Sequence, residues 1–258
     1  MLASIYTRVA RETFPNPTWN GVHVHVYRFG RHPRSAADAT VATVPTMKPR
    51  LHGTPLSHFT RKIRIVFAEL GVEFDFVRAS SVLAGEAAAY GDNPLMRVPT
   101  LVHGDDTLIE SDHIARYLVA RFDPSDRLGA RSERAGDLNR LAVVNGIMDN
   151  EVVLILAKRG GVTDLSTVAY FRKLATAIES GLAWLDGHTD PEDVGFDYRD
   201  HTTICMWQHV VYYQLVPGLE RYPRIAARVA RFADRASIAS TTPETSLAEA
   251  AAAGWKSG

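Results

Sequence analysis

Residues 93 to 118, NPLMRVPTLVHGDDTLIESDHIARYL, leave this chain few ways to fold there. Arg97, Val98, Pro99, Thr100, Leu101 and Val102 form a β-branched, apolar run. A proline near the start of such a run cannot donate to a sheet ladder, so it belongs at a strand entrance or an edge. His103, Gly104, Asp105 and Asp106 supply turn chemistry, and Thr107, Leu108 and Ile109 return as a second strand, which predicts a compact hairpin. Ser111 suits an N-cap, and Ile114, Tyr117, Leu118 and Phe122 recur at helical spacing behind it. A helix N-terminus carries unpaired N–H groups and partial positive charge, so the Ser111 amide and hydroxyl suit a carboxylate. The Glu110 carboxylate suits an ammonium, so the run matches both ends of an α-amino acid.

The rest of the sequence shows what surrounds that run. Arg50 to Gly53 reads as a strand, and Ser57 to Leu70 as a helix with Phe59, Ile63, Val66, Phe67 and Leu70 on one side and Gly71 as its stop. Glu73 to Val77 reads as a second strand, and the Ala-rich stretch Leu83 to Tyr90 as a helix closed by Gly91 and the Asn93-Pro94 turn. The β-α-β-α-β-β-α order is that of a thioredoxin-like α/β domain with a mixed four-stranded sheet. After Asp123-Pro124 the periodicity is helical throughout, in the sets Leu138, Leu141, Met148, Val152, Ile155 and Phe171, Leu174, Ile178, Leu182, Leu185. Asp197 and Asp200 are spaced as a capping box with acids in both roles. The expected division is an extension over 1–46, a thioredoxin-like domain over 47–123, an all-helical domain over 130–243 and a tail over 244–258.

Charge and cysteine content exclude several classes of function. Lys and Arg number 29, as do Asp and Glu, and this balance argues against nucleic acid as the main partner. The lone cysteine, Cys205, excludes an internal disulfide, a CxxC redox pair and a cysteine-rich zinc site. Val152 to Ala157, the longest apolar run, is far short of the roughly 18 residues of a membrane span. Residues 1–46 carry Arg8, Arg11, Arg28, Arg31 and Arg34 with few acids, which fits either an over-long translation start with the natural beginning at Met47 or a transit peptide. His23 and His25 share one face of a short alternating patch but lack a visible third ligand, so no metal is expected.

The Asn-Pro turn, the Val98-Pro99 pair, the hairpin and the Glu110-Ser111 step together resemble the glutathione-binding signature of the glutathione transferase superfamily. LHGTPLSHFTRKIRIVFAE resembles that superfamily's first strand and helix, Asp197 to Asp200 its capping box, and RYPRIAARVARFADRASIASTTP its closing helix and tail. The likeness runs from 47 to about 243. It implies the two-domain transferase fold, glutathione as co-substrate, a small hydrophobic electrophile as its partner, a cytoplasmic homodimer and a role in detoxification. It further implies that Ser57 contacts and activates the thiol, that Glu110 and Ser111 hold the γ-glutamyl group, and that Val98 pairs through its main chain with the cysteinyl part, across a cis Val98-Pro99 bond. Arg97 stands where a Lys, Arg or Gln contacts the glycyl carboxylate. Other glutathione-dependent activities on this fold (isomerase, peroxidase, dehalogenase) and a non-catalytic carrier or scaffold are alternatives.

Ser57 also suits a plain N-cap, and Thr54 and Thr60 are other hydroxyls within reach of the turn. His58 stands where relatives commonly have proline, which leaves its imidazole either beside the sulfur or, as the reading favoured here, facing solvent. Met96 stands where the family pattern often has glycine.

Overall fold

The computed structural model describes residues 47–79, 83 and 85–254. The expectations about residues 1–46, including His23 and His25, lie outside the described residues.

A four-stranded mixed sheet opens the fold. Its strands are β1 (Arg50–Gly53), β2 (Asp75–Arg78), β3 (Thr100–His103) and β4 (Asp106–Ile109), in the spatial order β2-β1-β3-β4. β1 pairs parallel with β2 and antiparallel with β3, and β3 pairs antiparallel with β4. β1 and β4 therefore run in the same direction, and each leads straight into a helix: α1 (His58–Leu70) after β1 and α2 (Ser111–Phe122) after β4. Gly53 closes β1 because no side chain fits there: a Cβ would overlap Thr60 and Phe76.

Two sequence expectations change in this part. β2 starts at Asp75, two residues later than read, and the described part of the expected helix over 83–90, Gly85 to Tyr90, is not α-helical. Its described end is a single 3-10 turn, Ala87–Tyr90, closed by Gly91 at φ 67°. Alanine favours a helix, but so short a run between Gly85 and Gly91 cannot repay the nucleation of a helix by itself.

The chain continues as helices only: α3 (Ala135–Arg159), α4 (Ala169–Gly187), α5 (Tyr198–Tyr213), α6 (Pro223–Arg231), α7 (Ala236–Ala239) and α8 (Pro243–Ala252). The capping box at α5 forms as its spacing predicts. Asp197 accepts from the Arg199 and Asp200 amides, and Asp200 accepts from the Asp197 amide at 3.1 Å. Two apolar clusters result. One joins Leu51 and Leu101 of the sheet to Ile63, Val66 and Phe67 of α1 and Ile114 and Leu118 of α2. The other joins Met148, Ile178, Leu182 and Met206 of the helical layers to Ile65 of α1. Helix α1 is thus buried on both sides. Among the described residues, no helix is long and apolar enough to cross a membrane.

Candidate functional site

The sheet register brings three separate segments to one place. His52 of β1 stands opposite Thr100 of β3, and Thr100 stands opposite Ile109 of β4. One step beyond that row β1 enters the turn to Ser57, β4 passes into Glu110 and Ser111, and Val98-Pro99 leads into β3 between them. Because β1 and β4 flank β3, the ends of these two strands lie about 10 Å apart. An extended tripeptide spans roughly the same length.

Ser57 is the N-cap of α1, in extended backbone, and its Oγ accepts from the Thr60 amide at 3.1 Å. The oxygen is engaged as an acceptor, but its O–H remains a donor. Thr54 and Thr60 are both buried, so Ser57 is the more accessible of the three hydroxyls of this turn.

The Val98-Pro99 bond is cis. Val98 precedes β3, so its main chain stands outside the ladder. Asn93 shapes the approach: its Nδ2 donates to the Arg97 carbonyl at 2.9 Å and to Thr100 Oγ1 at 3.3 Å, and its Oδ1 accepts from the Leu95 amide at 2.9 Å. Met96 takes φ 49°, the left-handed region that glycine occupies at no steric cost. Arg97 is exposed.

At α2 the structure corrects the reading of Ser111 as N-cap. Glu110 holds that position at φ 71° with no side-chain cap bond, and Ser111 is the first helical residue. A non-glycine residue at such φ is uncommon. Here the Glu110 side chain is exposed and makes no bond to the helix it precedes. The buried Ser111 hydroxyl instead accepts from Lys62 Nζ at 3.0 Å.

Lys62 anchors a polar network that the sequence reading missed. Its fully buried ammonium also donates to Asp112 Oδ1 at 2.6 Å and Asn145 Oδ1 at 2.9 Å. Asp112 further accepts from the Tyr198 hydroxyl and from Asn145 Nδ2, both at 2.6 Å. Burial works to raise the Asp112 carboxyl, but the Lys62 charge and these bonds outweigh it and hold the group below its ordinary range. The network ties α1, α2, α3 and α5 together at the start of α2, beside Ser111. One signal was available in the sequence: Lys62 falls between Phe59 and Val66 on the apolar stripe of α1.

His58 also departs from expectation. Its ring is buried rather than facing solvent, with Nε2 3.3 Å from the Met148 carbonyl and the ring stacked on His209 at 3.8 Å. Its side chain points between α3 and α5, so the residue after Ser57 contributes no imidazole to the solvent side of the turn. Cys205 lies in α5 and is buried, and burial pushes its thiol up, which keeps it protonated. A groove of about 320 Å³ lies at the other end of α1, along Arg64, Ala68, Val72, Ser240 and Thr241, and none of the residues above lines it.

A thioredoxin-like sheet followed by a helical layer, with two helix starts flanking a cis-proline strand entrance, is the architecture of a glutathione transferase. Residues 51–126 match the family described as glutathione S-transferase, N-terminal domain. Glutathione S-transferase 3 of Zea mays is 33% identical over 92 residues, a match that covers 33% of this chain and 40% of the maize protein's length. The glutathione S-transferase of Methylobacillus flagellatus KT, solved with glutathione bound, superposes with a TM-score of 0.64 at 26% identity, over 76% of this chain and 100% of that one. A glutathione S-transferase of Methylobacterium radiotolerans JCM 2831, in complex with glutathione sulfonate, shares the fold at 20% identity and a TM-score of 0.64, over 76% of this chain and 95% of that one. A zeta-class maleyl pyruvate isomerase shares it at 19% identity and a TM-score of 0.60, over 76% and 97% of the two chains. Residues 51–126 thus carry the N-terminal domain of the glutathione S-transferase family, and the chain shares the glutathione S-transferase fold.

Proposed function

We propose that this protein binds glutathione across the ends of β1, β3 and β4 and activates its thiol for attack on a small hydrophobic electrophile. The observation that carries the reading is the cross-sheet row His52, Thr100, Ile109, from one side of which the three segments run on to Ser57, Val98 and Ser111. In this arrangement the γ-glutamyl carboxylate meets the Ser111 amide at the start of α2, and the Glu110 carboxylate receives the ammonium. The Val98 main chain pairs with the cysteinyl unit as an added strand, and Arg97 faces the glycyl carboxylate. The thiol then lies at the Ser57 end, where the hydroxyl donates to the developing thiolate and the N-terminal dipole of α1 adds favourable potential. The domain limits at 47–123 and 130–243, a dimeric state and a cytoplasmic location belong to the same proposal, by likeness to the family.

A charge-assisted bond contributes roughly 1.5 to 3 kcal/mol, so Ser57→Ala should lower kcat/KM for conjugation to a generic aryl halide by about 10- to 100-fold. Glutathione affinity, read by calorimetry, should hardly change in that variant and should fall in Glu110→Ala. Undiminished turnover in Ser57→Ala would remove Ser57 from its role. Glutathione binding without turnover in the unaltered protein would favour a carrier.

A further inference from the structure

The residue after Ser57 opens a second polar centre, which the thiol chemistry does not use. His58 of α1, Glu151 of α3 and His209 of α5 converge between the helical layers, and their donor atoms all lie within 4.8 Å of one another. All three residues are buried, Glu151 completely. His209 Nδ1 stands 3.2 Å from Glu151 Oε1, whereas His58 Nε2 stands 3.9 Å from Glu151 Oε2, beyond hydrogen-bond reach. Among the described residues Glu151 Oε2 has no hydrogen-bond partner. Burying a carboxylate oxygen without a partner is costly, and a charged group pays more than a neutral one. Among the described residues no lysine or arginine hydrogen-bonds to these three side chains, and one carboxylate oxygen stays open.

We propose that His58, Glu151 and His209 form a binding site for a first-row divalent cation of the zinc type. Two imidazole nitrogens and one carboxylate oxygen are a common zinc ligand set, and three protein ligands leave a further coordination position for water. Zinc bonds its ligands at about 2.0 to 2.2 Å, which places tetrahedral donors roughly 3.4 Å apart. His209 Nδ1 and Glu151 Oε1 already meet that spacing, and His58 would turn out of its 3.8 Å stack on His209 to bring Nε2 in from 3.9 Å to Glu151 Oε2. The cation would give Glu151 Oε2 the partner it lacks. It would also displace the His58 Nε2 proton now directed at the Met148 carbonyl, since a ligating nitrogen must carry a free lone pair. Because the ligands come from three helices, the ion would clamp the first residue of α1 against α3 and α5, immediately behind Ser57.

The test is zinc binding by the full chain, stripped with a chelator and re-equilibrated with zinc alone. Metal analysis should find about one tightly held equivalent per chain, and zinc should raise Tm. Glu151→Gln and His58→Gln, each checked for folding by circular dichroism, should weaken zinc binding by about tenfold or more. His23→Asn/His25→Asn should retain it. As a measurement that needs no variant, the zinc absorption-edge fine structure of the unaltered protein should report two imidazoles and oxygen at about 2.0 Å. No uptake by the unaltered protein, uptake lost with His23 and His25, or uptake unchanged in folded Glu151→Gln would each overturn the site. None of these readings depends on glutathione turnover, so failure here leaves the thiol chemistry standing, and the reverse also holds.

Discussion

Lys62 shows how much one buried charge can organise. A lysine with no exposed surface survives only if its ammonium is fully engaged, and here it has three oxygen partners on two other helices. Replacing it by Met keeps the side-chain length but leaves the Asp112 carboxylate without its countercharge. Breaking one side of such a pair costs about 3 to 5 kcal/mol when burial is complete, and roughly 2 to 3 kcal/mol is expected here because Asp112 is partly exposed. Urea unfolding of Lys62→Met, Asp112→Asn and the double variant checks this: the double variant should lose less than the sum of the singles. Strict additivity would show that the pair does not couple. The sequence displayed the lysine on an apolar stripe, but its partners are 49, 50 and 83 residues away, and no periodicity reveals such distances.

At the level of elements, what was legible followed from local chemistry. The hairpin, the Ser57 cap, the Gly71 stop and the Asp197 capping box all depend on residues within a few positions of one another, and all form. The departures arise where local preference meets a wider constraint. Alanines 87 to 89 form only a 3-10 turn between glycines, and the Ser111 hydroxyl, a capable cap, is drawn off by Lys62. The two acids of the capping box are also unequal. Asp197 faces partly outward, whereas Asp200 forms a paired bond with the buried Arg228, Nε to Oδ1 and Nη2 to Oδ2, both at 2.9 Å. Asp197→Ala should therefore cost about 1 kcal/mol, the usual loss of a cap. Asp200→Ala should cost about 3 kcal/mol or more, because it strands a buried guanidinium. Equal shifts in the urea midpoints would show that Arg228 adds nothing to the box.

At the scale of the whole molecule, one imidazole is enclosed among aromatic rings. His201 is fully buried beside Phe196 and Tyr198, and among the described residues neither ring nitrogen has a hydrogen-bond partner. Burial, opposed in part by Glu69 and Asp200 and reinforced by Arg235, lowers its pKa to about 4. The unfolded chain holds that proton up to about pH 6.5, so between pH 4 and 6.5 it binds more protons than the folded chain. Stability should thus fall as pH drops from 6.5 toward 4, by roughly 3 kcal/mol from this residue, and change no further below that. His201→Phe should flatten the pH dependence of the unfolding free energy in that window. An unchanged slope would place the acid sensitivity elsewhere. The sequence indicated the fold at this scale through its order of elements and family likeness, but gave no sign that α1 would be enclosed on both sides.

That enclosure has a consequence for how the molecule can vary. An amphipathic helix normally keeps its basic residues wet, but α1 has little wet side, and its cations act as bolts in three directions. Lys62 fastens to α2 and α3, Arg61 to Thr241 and the Ile238 carbonyl at the end of α7, and Arg64 to Ser246 and Glu249 of α8. Inserting or deleting a single residue in α1 would turn everything beyond it by about 100° and release the bolts past that point together. A conservative exchange at any one of them would loosen only its own joint. The length of this segment is therefore fixed more tightly than its composition, and Ser57, at its tip, is placed by the spacing of residues that never approach a substrate.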